Sequence, residues 1–516
     1  ELNGTNAFLP SSNLNNRFPF QSFSTILPFN YLLVFKNIVA SPSKFIYGVL
    51  IQNYYQVRVI SIPLLIYMRE IVSVQIGQCG NQIGSAFWKQ VATEHPPYAT
   101  EQSSTFFNET EKQQHARALL IDMEEGVINQ IKKSELAPLF KEQQFMTGSD
   151  GSGNNFADGY ARHGQERIGE FSDKISLLLE QCDSPQAFQT FNSTGGGTGS
   201  GFGARCIETL KDQFDLQIIS NCVVPSATSD VVTGPYNSML SMSTLLRSSS
   251  LVLPFDNEVL FANYDKQKLQ LKGLRPNLVQ KEECLWDSLP KFSGELTQKQ
   301  KSFNDVNGLI ARSLSVLSAS MRFGGEMNVD LNELATNLVP FADLNLCLMN
   351  FAPFFPQQIQ STANLKSVFG LQNAFSSVQK DELVIANLLA VQSKSNFGVF
   401  SQTFDQISAK DEFLQRQNFK LGFTAGGRNS QESFAWARNG EASGQIVAKI
   451  YQNYMQLRQK KVYLFHYLKF MEEQDIDDRA EVLAHVMGEY AALAGRFEGA
   501  KQEEQDIRER VQQYVV

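Results

Sequence analysis

An α/β fold with a mostly parallel sheet is the architecture that the sequence predicts, and three observations support it. Short β-branched runs alternate with helical segments from Ile71 onward. The first run, Ile71–Ile76, stops at a glycine and is followed by apolar residues at helical spacing. A glycine-rich stretch, Gly195–Gly201, stands before another helical segment. A strand, a glycine turn and a helix in this order open a nucleotide-binding α/β unit.

The remaining elements follow from the same patterns. Strand-like runs recur at 118–121, 218–224 and 251–254, and a polar, lysine-rich insertion covers 265–302. The spacing predicts a core helix over Phe303–Ser320 and a second α/β region from about 324 to 443. Two helices then close the chain, and Gly495 is the expected end of the second.

Composition bounds the function classes. A chain of 516 residues accommodates about three domains. Its formal net charge of -8 argues against a dedicated nucleic-acid binder, and no apolar run is long enough for a membrane-spanning helix. The six cysteines are scattered without a CxxC pair, which indicates neither a zinc site nor a disulfide framework.

The first 67 residues differ in composition from the rest. They precede the first methionine, Met68, and carry only five charged side chains. They match neither a secretory signal nor an arginine-rich transit peptide. We therefore expect residues 1–67 to be a leader outside the fold, either artefactual or disordered.

The strongest chemical signal is the loop Gly195–Gly201, read as GGGTGSG. Glycines let the backbone approach phosphates, and a following helix offers unpaired N–H groups and a partial positive charge. The alternative, a flexible linker, fits poorly with a helix start. The loop lacks the lysine of a Walker A motif, and Gly77–Gly84 (GQCGNQIG) lacks the GxGxxG spacing of a dinucleotide site. The missing GxGxxG spacing disfavours a Rossmann-type oxidoreductase. The pair of glycine loops instead favours a ligand whose phosphate groups are held between the two loops.

Several phrases resemble the tubulin superfamily. They are Met68–Val72 with Gly77–Gly84, the loop Gly195–Gly201, the GSGNN of Gly151–Asn155, and the NLVPF of Asn337–Phe341. The match runs from Met68 to about Gly495. Within the superfamily, Ala116–Ile128, Leu253–Leu260 and Met327–Phe341 most resemble the epsilon-tubulin branch.

The resemblance implies a fold and a domain plan. The fold is a tubulin/FtsZ-like Rossmann-type GTPase domain, an α/β intermediate domain and a C-terminal helical hairpin. The expected boundaries are 68–322 for the GTP-binding domain, 323–443 for the intermediate domain, and 444–516 for the helical domain and tail.

The resemblance also implies site residues for GTP or GDP and Mg²⁺. Asp122 and Glu124 would face the magnesium ion. Phe303 would stack on the base, and Asn257 and Asn307 would read its guanine edge. The nucleotide-binding set is Gly77, Gln78, Cys79, Gln82, Gly151, Ser152, Gly153, Asn154, Ser193, Gly196, Gly197, Thr198, Gly199, Asp230, Asn257, Phe303 and Asn307.

Two acidic residues would act in catalysis. Asp330 and Glu333 lie beyond the far end of the helix whose beginning touches the base. In the tubulin arrangement this loop reaches the nucleotide of the next subunit, where Glu333 would activate the attacking water. The alternative is a solvated acidic loop without a catalytic role.

The sequence departs from the family pattern in places. Gly234 stands where many tubulins carry a ribose-contacting glutamate, and Phe303 where a tyrosine is usual. The stretch 355–380 lacks a basic and aromatic lateral loop, and the tail Glu498–Val516 is not an acidic brush. Gly234 predicts a weaker or altered nucleotide affinity, and the missing lateral loop argues against assembly into an ordinary lattice.

The functional expectation is a GTP-binding cytoskeletal protein of the cytoplasm that acts at centrioles and basal bodies, in assembling or maintaining triplet microtubules. Delta-tubulin is the expected partner, and alpha- and beta-tubulin are further candidates. The alternative is an adaptor that holds GTP but neither polymerises nor hydrolyses it.

Overall fold

A computed structural model of the chain describes residues 33–39, 45–53, 56–63, 69–95, 104–110, 113–226, 229–274, 298–355, 361–377, 382–411, 414 and 419–514. The chain divides into two compact units, residues 1–67 and 68–516. The first unit contains a three-stranded antiparallel sheet in the order β1-β2-β3. Its strands are β1 (Leu33–Val39), β2 (Phe45–Asn53) and β3 (Gln56–Pro63). The rest of the predicted leader lies outside the described residues.

The second unit alternates strands and helices. The strands are β4 (Glu70–Ile76), β5 (Phe107–Thr110), β6 (Gln113–Ala116), β7 (Ala118–Asp122), β8 (Phe145–Thr147), β9 (Pro185–Ser193), β10 (Gln217–Val224), β11 (Leu251–Asp256), β12 (Leu348–Ala352), β13 (Val384–Gln392), β14 (Lys420–Thr424) and β15 (Ser433–Gly440). The helices are α1 (Gly77–Glu94), α2 (Glu125–Lys132), α3 (Gly164–Leu179), α4 (Gly203–Gln213), α5 (Gly234–Ser248), α6 (Asn257–Leu274), α7 (Gln298–Leu317), α8 (Ala319–Arg322), α9 (Leu331–Leu338), α10 (Ser361–Val368), α11 (Phe397–Ser408), α12 (Glu441–Arg458), α13 (Leu464–Tyr467) and α14 (Glu473–Tyr514). Two π-helical turns precede α3 and α4, at Asp158–His163 and Thr198–Phe202.

The predicted parallel sheet is confirmed. Six strands pair in the order β11-β10-β9-β4-β7-β8, and every pair is parallel. β4, the first of these six strands in the chain, lies inside the sheet between β9 and β7. The strand order therefore reverses at β4, and the crevice at such a switch point is where open α/β sheets bind ligands.

Apolar residues cover both faces of this sheet. Alternate side chains of β4 separate into two buried clusters, with Ile71 in one and Val72 and Val74 in the other. Helices α1 and α7 pack on the first face, and α3, α4, α5 and the C-terminal helices pack on the second. Both faces of the sheet are thus buried from solvent, which explains why the sequences of these strands are continuous apolar runs.

A buried ion pair fixes the end of α1 against α8. Arg322 Nη1 lies 2.7 Å from Glu94 Oε2, and the hydroxyl of Ser315 donates to the same carboxylate. His95, which follows α1, stacks on Phe323 with ring centroids 4.8 Å apart. Burial, and then the neighbouring Arg322 guanidinium, lower the pKa of His95 to about 3. The histidine is therefore neutral in the folded protein at physiological pH.

A second sheet follows in the chain. Its order is β12-β15-β13-β14, and β13–β14 is its parallel pair. Helices α10 and α11 pack on it through a cluster that includes Phe400, Phe423 and Trp436. A second α/β region after about residue 324 is therefore present.

Three predicted boundaries are corrected. Helix α7 begins at Gln298 and ends at Leu317, earlier at both ends than the predicted Phe303–Ser320. The described ends of the predicted insertion, 265–274 and 298–302, are helical, and 275–297 lie outside the described residues. Helix α14 continues through Gly495 to Tyr514, because the glycine keeps helical geometry instead of forming a C-cap. Among the described helices, none is both long enough and apolar enough to cross a bilayer.

Candidate functional site

Two glycine loops touch at the carboxyl edge of the parallel sheet. One follows β4 and begins at Gly77, and the other follows β9 and contains Gly195–Gly201. Gly77 has a φ of 76°, and a Cβ on it would lie 2.9 Å from the main-chain nitrogen of Gly199. A side chain at Gly77 would therefore be strained and would separate the loops.

The third loop, 151–155, joins the same edge. The hydroxyls of Ser152 and Thr198 lie 3.2 Å apart, and a Cβ on Gly197 would lie 2.7 Å from that of Ser152. In contrast, a Cβ on Gly196 or Gly153 would meet no atom within 4 Å. Two glycines of neighbouring loops thus border open space, which is where a ligand could approach the backbone.

The first loop is tied to the neighbouring strand by a residue that sequence reasoning missed. Asn81 is fully buried and donates to the carbonyls of Gly77 (2.9 Å) and Ile121 (2.8 Å). Of the predicted contacts, Gln78 is exposed, and Cys79 and Gln82 are half-buried. Burial raises the pKa of the Cys79 thiol to about 12, so the thiol stays protonated.

Asp122 and Glu124 lie next to the third loop. Asp122 ends β7, and its carbonyl accepts from the N–H of Gly148. A Cβ on Gly151 would lie 2.2 Å from Glu124 Oε1, so this carboxylate touches the loop. Burial raises the pKa of Asp122 to about 6. Within the described residues, no group of three or more His, Cys, Asp or Glu side chains is placed to hold a metal ion. Magnesium commonly uses one or two carboxylates together with phosphate oxygens and water, so this pair fits it.

The remaining predicted residues form two groups. Ser193 lies at the end of β9, and its hydroxyl accepts from the N–H of Gly195 at 3.2 Å. Asp230 is exposed in the loop before α5, where the Thr233 hydroxyl donates to the carbonyl of Asn154 at 2.8 Å. Ser193 and Thr233 thus contact the glycine loops, and Asp230 lies three residues before Thr233.

The predicted base-binding residues lie on α6 and α7. Asn257 is the first residue of α6, and Phe303 and Asn307 are one turn apart on α7. The ring of Phe303 packs at right angles against Phe261, with centroids 4.9 Å apart. Helix α7 packs along α1, which carries the first loop, so Phe303 and Asn307 belong to the same face of the sheet as that loop.

Asn237 on α5 holds two loops together, and sequence reasoning did not identify it. Its side-chain amide donates to the carbonyls of Asn154 (2.9 Å) and Gly195 (2.8 Å). Its oxygen accepts from the N–H of Phe156 (2.9 Å) and the hydroxyl of Tyr467 (2.6 Å). All four bonding positions of this buried amide are used. An asparagine inside a helix gives no sequence signal for this role, because its four partners come from distant segments.

The predicted catalytic residues lie at the opposite edge of the sheet. Asp330 caps α9 by accepting from the N–H of Glu333, and it pairs with Arg69 at 2.7 Å. Arg69 precedes β4, and Asn332 of α9 accepts from Gln217, the first residue of β10. The eight-residue strand β10 spans about 23 Å. Glu333 pairs with Lys420 at 3.3 Å and is half-exposed. The structure therefore separates Glu333 from the glycine loops of its own chain.

Comparisons with known proteins agree with this geometry. Residues 70–265 match the Tubulin/FtsZ family, GTPase domain. The human tubulin epsilon chain is 31% identical over 463 residues, which cover 83% of this chain and 96% of the relative. The mouse tubulin epsilon chain is equally similar, at 31% over 464 residues and the same coverage. The chicken tubulin beta-6 chain is 35% identical over 300 residues, which cover 55% of this chain and 61% of the relative.

Proposed function

The chain belongs to the tubulin family, and from this we propose that its three glycine loops bind GTP and GDP at the carboxyl edge of the parallel sheet. The observation that carries the proposal is the convergence of Gly77, Ser152 and Thr198 beside the open space at Gly153 and Gly196. Main-chain N–H groups and the start of α4 would supply the positive potential for the phosphates. Asn257, Phe303 and Asn307 would recognise the base.

Magnesium is part of the proposal. Asp122 and Glu124 would hold the ion, directly or through water, beside the phosphates. A cation there would stabilise the ionised form of the buried Asp122, whose pKa is raised to about 6. When bound, magnesium would neutralise phosphate charge.

A nucleotide-retention experiment tests this site. The full chain is purified, loaded with labelled GTP or ATP in magnesium buffer, desalted and denatured, and the released nucleotide is quantified. We expect retention of GTP over ATP and loss of the GTP preference in Asn307→Ala. Alanine is a good helix former, so this change removes the amide and keeps α7. Asn429→Ala, at an exposed position bonded to Thr93, is the matched control. Retention of neither nucleotide, or of both equally, would refute the assignment.

We also propose that hydrolysis, where it occurs, uses Glu333 on the nucleotide of a second subunit. About 23 Å of strand separates its edge of the sheet from the glycine loops, so a side chain has no reach to its own site. Asp330 would act as a positioning residue, because its carboxylate caps α9 and pairs with Arg69. In this role Glu333 would orient or deprotonate the attacking water.

Turnover measurements test that role. Glu333→Gln keeps the shape of the side chain and removes its charge, so we expect GTP turnover to fall while GTP retention is unchanged. Glu489→Gln, an exposed change on α14, is the control. An unchanged rate in Glu333→Gln would exclude Glu333 from catalysis and favour the adaptor that holds GTP without hydrolysing it.

The similarity to two epsilon chains supports the finer proposal of a role in centriole and basal-body microtubules. Delta-tubulin, alpha-tubulin and beta-tubulin are the proposed partners, within the cytoplasmic cytoskeleton. The division into domains 68–322, 323–443 and 444–516 remains a proposal as well. Imaging of the tagged chain tests the location, and its absence from basal bodies would refute it.

A further inference from the structure

Helices α12 and α14 pack as an antiparallel pair. Arg458, the last residue of α12, pairs with Asp477 near the start of α14 at 2.9 Å. At the other end of the pair, a Cβ on Gly444 would lie 2.6 Å from the Cβ of Tyr490, so the two helices touch there as well. Helix α12 begins only three residues before this contact, at Glu441. Its cover of α14 therefore ends a few residues after Tyr490.

The last part of α14 extends past the end of this pair. Helix α14 ends at Tyr514, so residues 496–514, here named the helix extension, continue for about 28 Å. Gly499 lies within the extension, and glycine is a weak helix former because its unfolded state has more conformational freedom. A lone helix of this length is marginally stable in water. The extension would therefore gain stability from a second helix packed along it.

One stripe of residues runs along the second half of α14 at alternating steps of three and four. Beside α12 the stripe is apolar and consists of Leu483, Val486, Tyr490 and Leu493. The first three are buried, and the fourth packs partly against the same core. In the sequence of the helix extension, the same spacing places six residues at the a and d positions of heptads: Phe497, Ala500, Glu504, Ile507, Val511 and Tyr514. Five of the six are apolar, aromatic or small, which is the pattern of a coiled-coil seam.

The charges of the helix extension are sorted by heptad position. Its four basic residues all fall at the e and g positions that flank the seam: Arg496, Lys501, Arg508 and Arg510. Of its five acidic residues, three fall at the outer positions b, c and f: Glu498, Asp506 and Glu509. Charges at e and g select the partner of a coiled coil, because they pair across the seam. The basic flanks therefore favour a partner helix whose own flanks are acidic.

A second copy of this chain matches the extension poorly. In a parallel pair of copies, Glu504 of one copy would face Glu504 of the other within the seam, and Arg496 would face Lys501. The pair of Glu503 with Arg508 would be attractive. An antiparallel pair sets e against e, so that Lys501 would face Arg508. Like charges placed opposite each other disfavour association, so neither arrangement of two copies suits this sequence.

We propose that the helix extension docks a helix of another protein, which carries an apolar heptad seam, acidic residues at e and g, and a lysine or arginine in the seam opposite Glu504. The basic flanks of the extension would attract the acidic flanks of the partner, and the basic seam residue would pair with the Glu504 carboxylate. A single charged position in an apolar seam also fixes the register of the two helices. The charge pattern thus selects the partner and rejects a second copy.

Binding of two designed helical peptides to the full chain tests the flanks. Both labelled probes have seams of isoleucine and leucine with one lysine opposite Glu504, and they carry either glutamate or lysine at every e and g position. By fluorescence anisotropy, we expect wild type to bind the acidic probe about tenfold or more tightly than the basic probe. Lys501→Glu/Arg508→Glu/Arg510→Glu should reverse this preference. Gln502→Glu/Gln512→Glu adds carboxylates at outer positions of the same segment, so this control should keep it.

A seam variant and the oligomeric state complete the test. Ile507→Asp/Val511→Asp should abolish binding of the acidic probe and leave the melting temperature unchanged, because both positions lie beyond the contact with α12. Without probe, this variant and wild type should sediment alike over a concentration series. Self-association of wild type that this variant abolishes would identify a second copy as the occupant and overturn the proposal. Equal affinity of wild type for the two probes, or no binding of the acidic probe, would overturn it as well. GTP retention should be the same in all variants, since none of the changes lies in a glycine loop.

Discussion

Replacing Asn237 by alanine should loosen the third loop and release nucleotide faster. The buried amide makes four hydrogen bonds, two as donor to Asn154 and Gly195 and two as acceptor from Phe156 and Tyr467. Each such bond contributes about 1 kcal/mol net, and unpaired buried groups raise the cost. We therefore expect the local stability of the third loop to fall by about 3–5 kcal/mol, mainly where it meets the glycine loop after β9.

Local exchange measures this loss better than global unfolding, because a chain of several domains does not unfold in two states. Hydrogen exchange of peptides covering 151–157 should lose protection by about a hundredfold or more, since 1.4 kcal/mol corresponds to tenfold. Release of labelled GTP should accelerate in the same variant. Tyr467→Phe removes one of the four bonds and should lose about 1 kcal/mol. In combination with Asn237→Ala the two effects should not add, because they share that bond.

Asn345→Ala is a matched control for Asn237→Ala. Asn345 is buried, and its amide donates to two carbonyls, those of Leu246 (3.0 Å) and Ser249 (2.7 Å), away from the glycine loops. It should destabilise its own surroundings and leave exchange at 151–157 and GTP release unchanged. Unchanged exchange at 151–157 in Asn237→Ala, or equally fast GTP release in both variants, would refute the reasoning.

Three further predictions concern pH and glycine. The pKa of His95 is about 3 in the folded protein and near 6.5 in the unfolded chain. Its contribution to stability is therefore complete above pH 6.5 and falls by about 2 kcal/mol at pH 5. His95→Phe should flatten the decline of melting temperature between those two pH values, and an unchanged slope would contradict this. Gly234→Glu should fold normally, because a Cβ there would meet no atom within 4 Å and a carboxylate suits the first turn of α5. We expect this variant to release GTP more slowly, and faster release would count against a ribose contact. Gly80→Ala should lower the melting temperature, because the new Cβ would lie 2.1 Å from the carbonyl oxygen of Phe191, at a cost of about 1–3 kcal/mol. Gly126→Ala is the control, because a Cβ there would meet no atom within 4 Å. Equal melting temperatures of the two variants would contradict the packing argument.

Local patterns in the sequence were enough to predict the parallel sheet and its glycine loops. The runs at Ile71–Ile76 and 218–224 are dry on both faces, so their apolar composition identified them as buried strands. The end of α14 was missed, because a glycine is compatible both with a C-cap and with a continuing helix. The roles of Asn81 and Asn237 were missed because they depend on carbonyls brought together only by the fold.

The composition of the three loops explains why these asparagines matter. The stretches 77–84, 151–155 and 195–201 contain no lysine or arginine, so no side-chain cation would balance the phosphates from within them. Binding would then rely on main-chain N–H groups, helix starts and the metal ion, whose effect falls steeply with distance and direction. Loop geometry becomes the main determinant of affinity under these conditions. Asn81 would hold that geometry by tying the first loop to β7, and Asn237 by joining the other two loops. Asn237 also accepts from the hydroxyl of Tyr467 on α13. The third loop is therefore linked to α13 twice, through Asn237 to Tyr467 and through the bond from Asn155 to the carbonyl of His466.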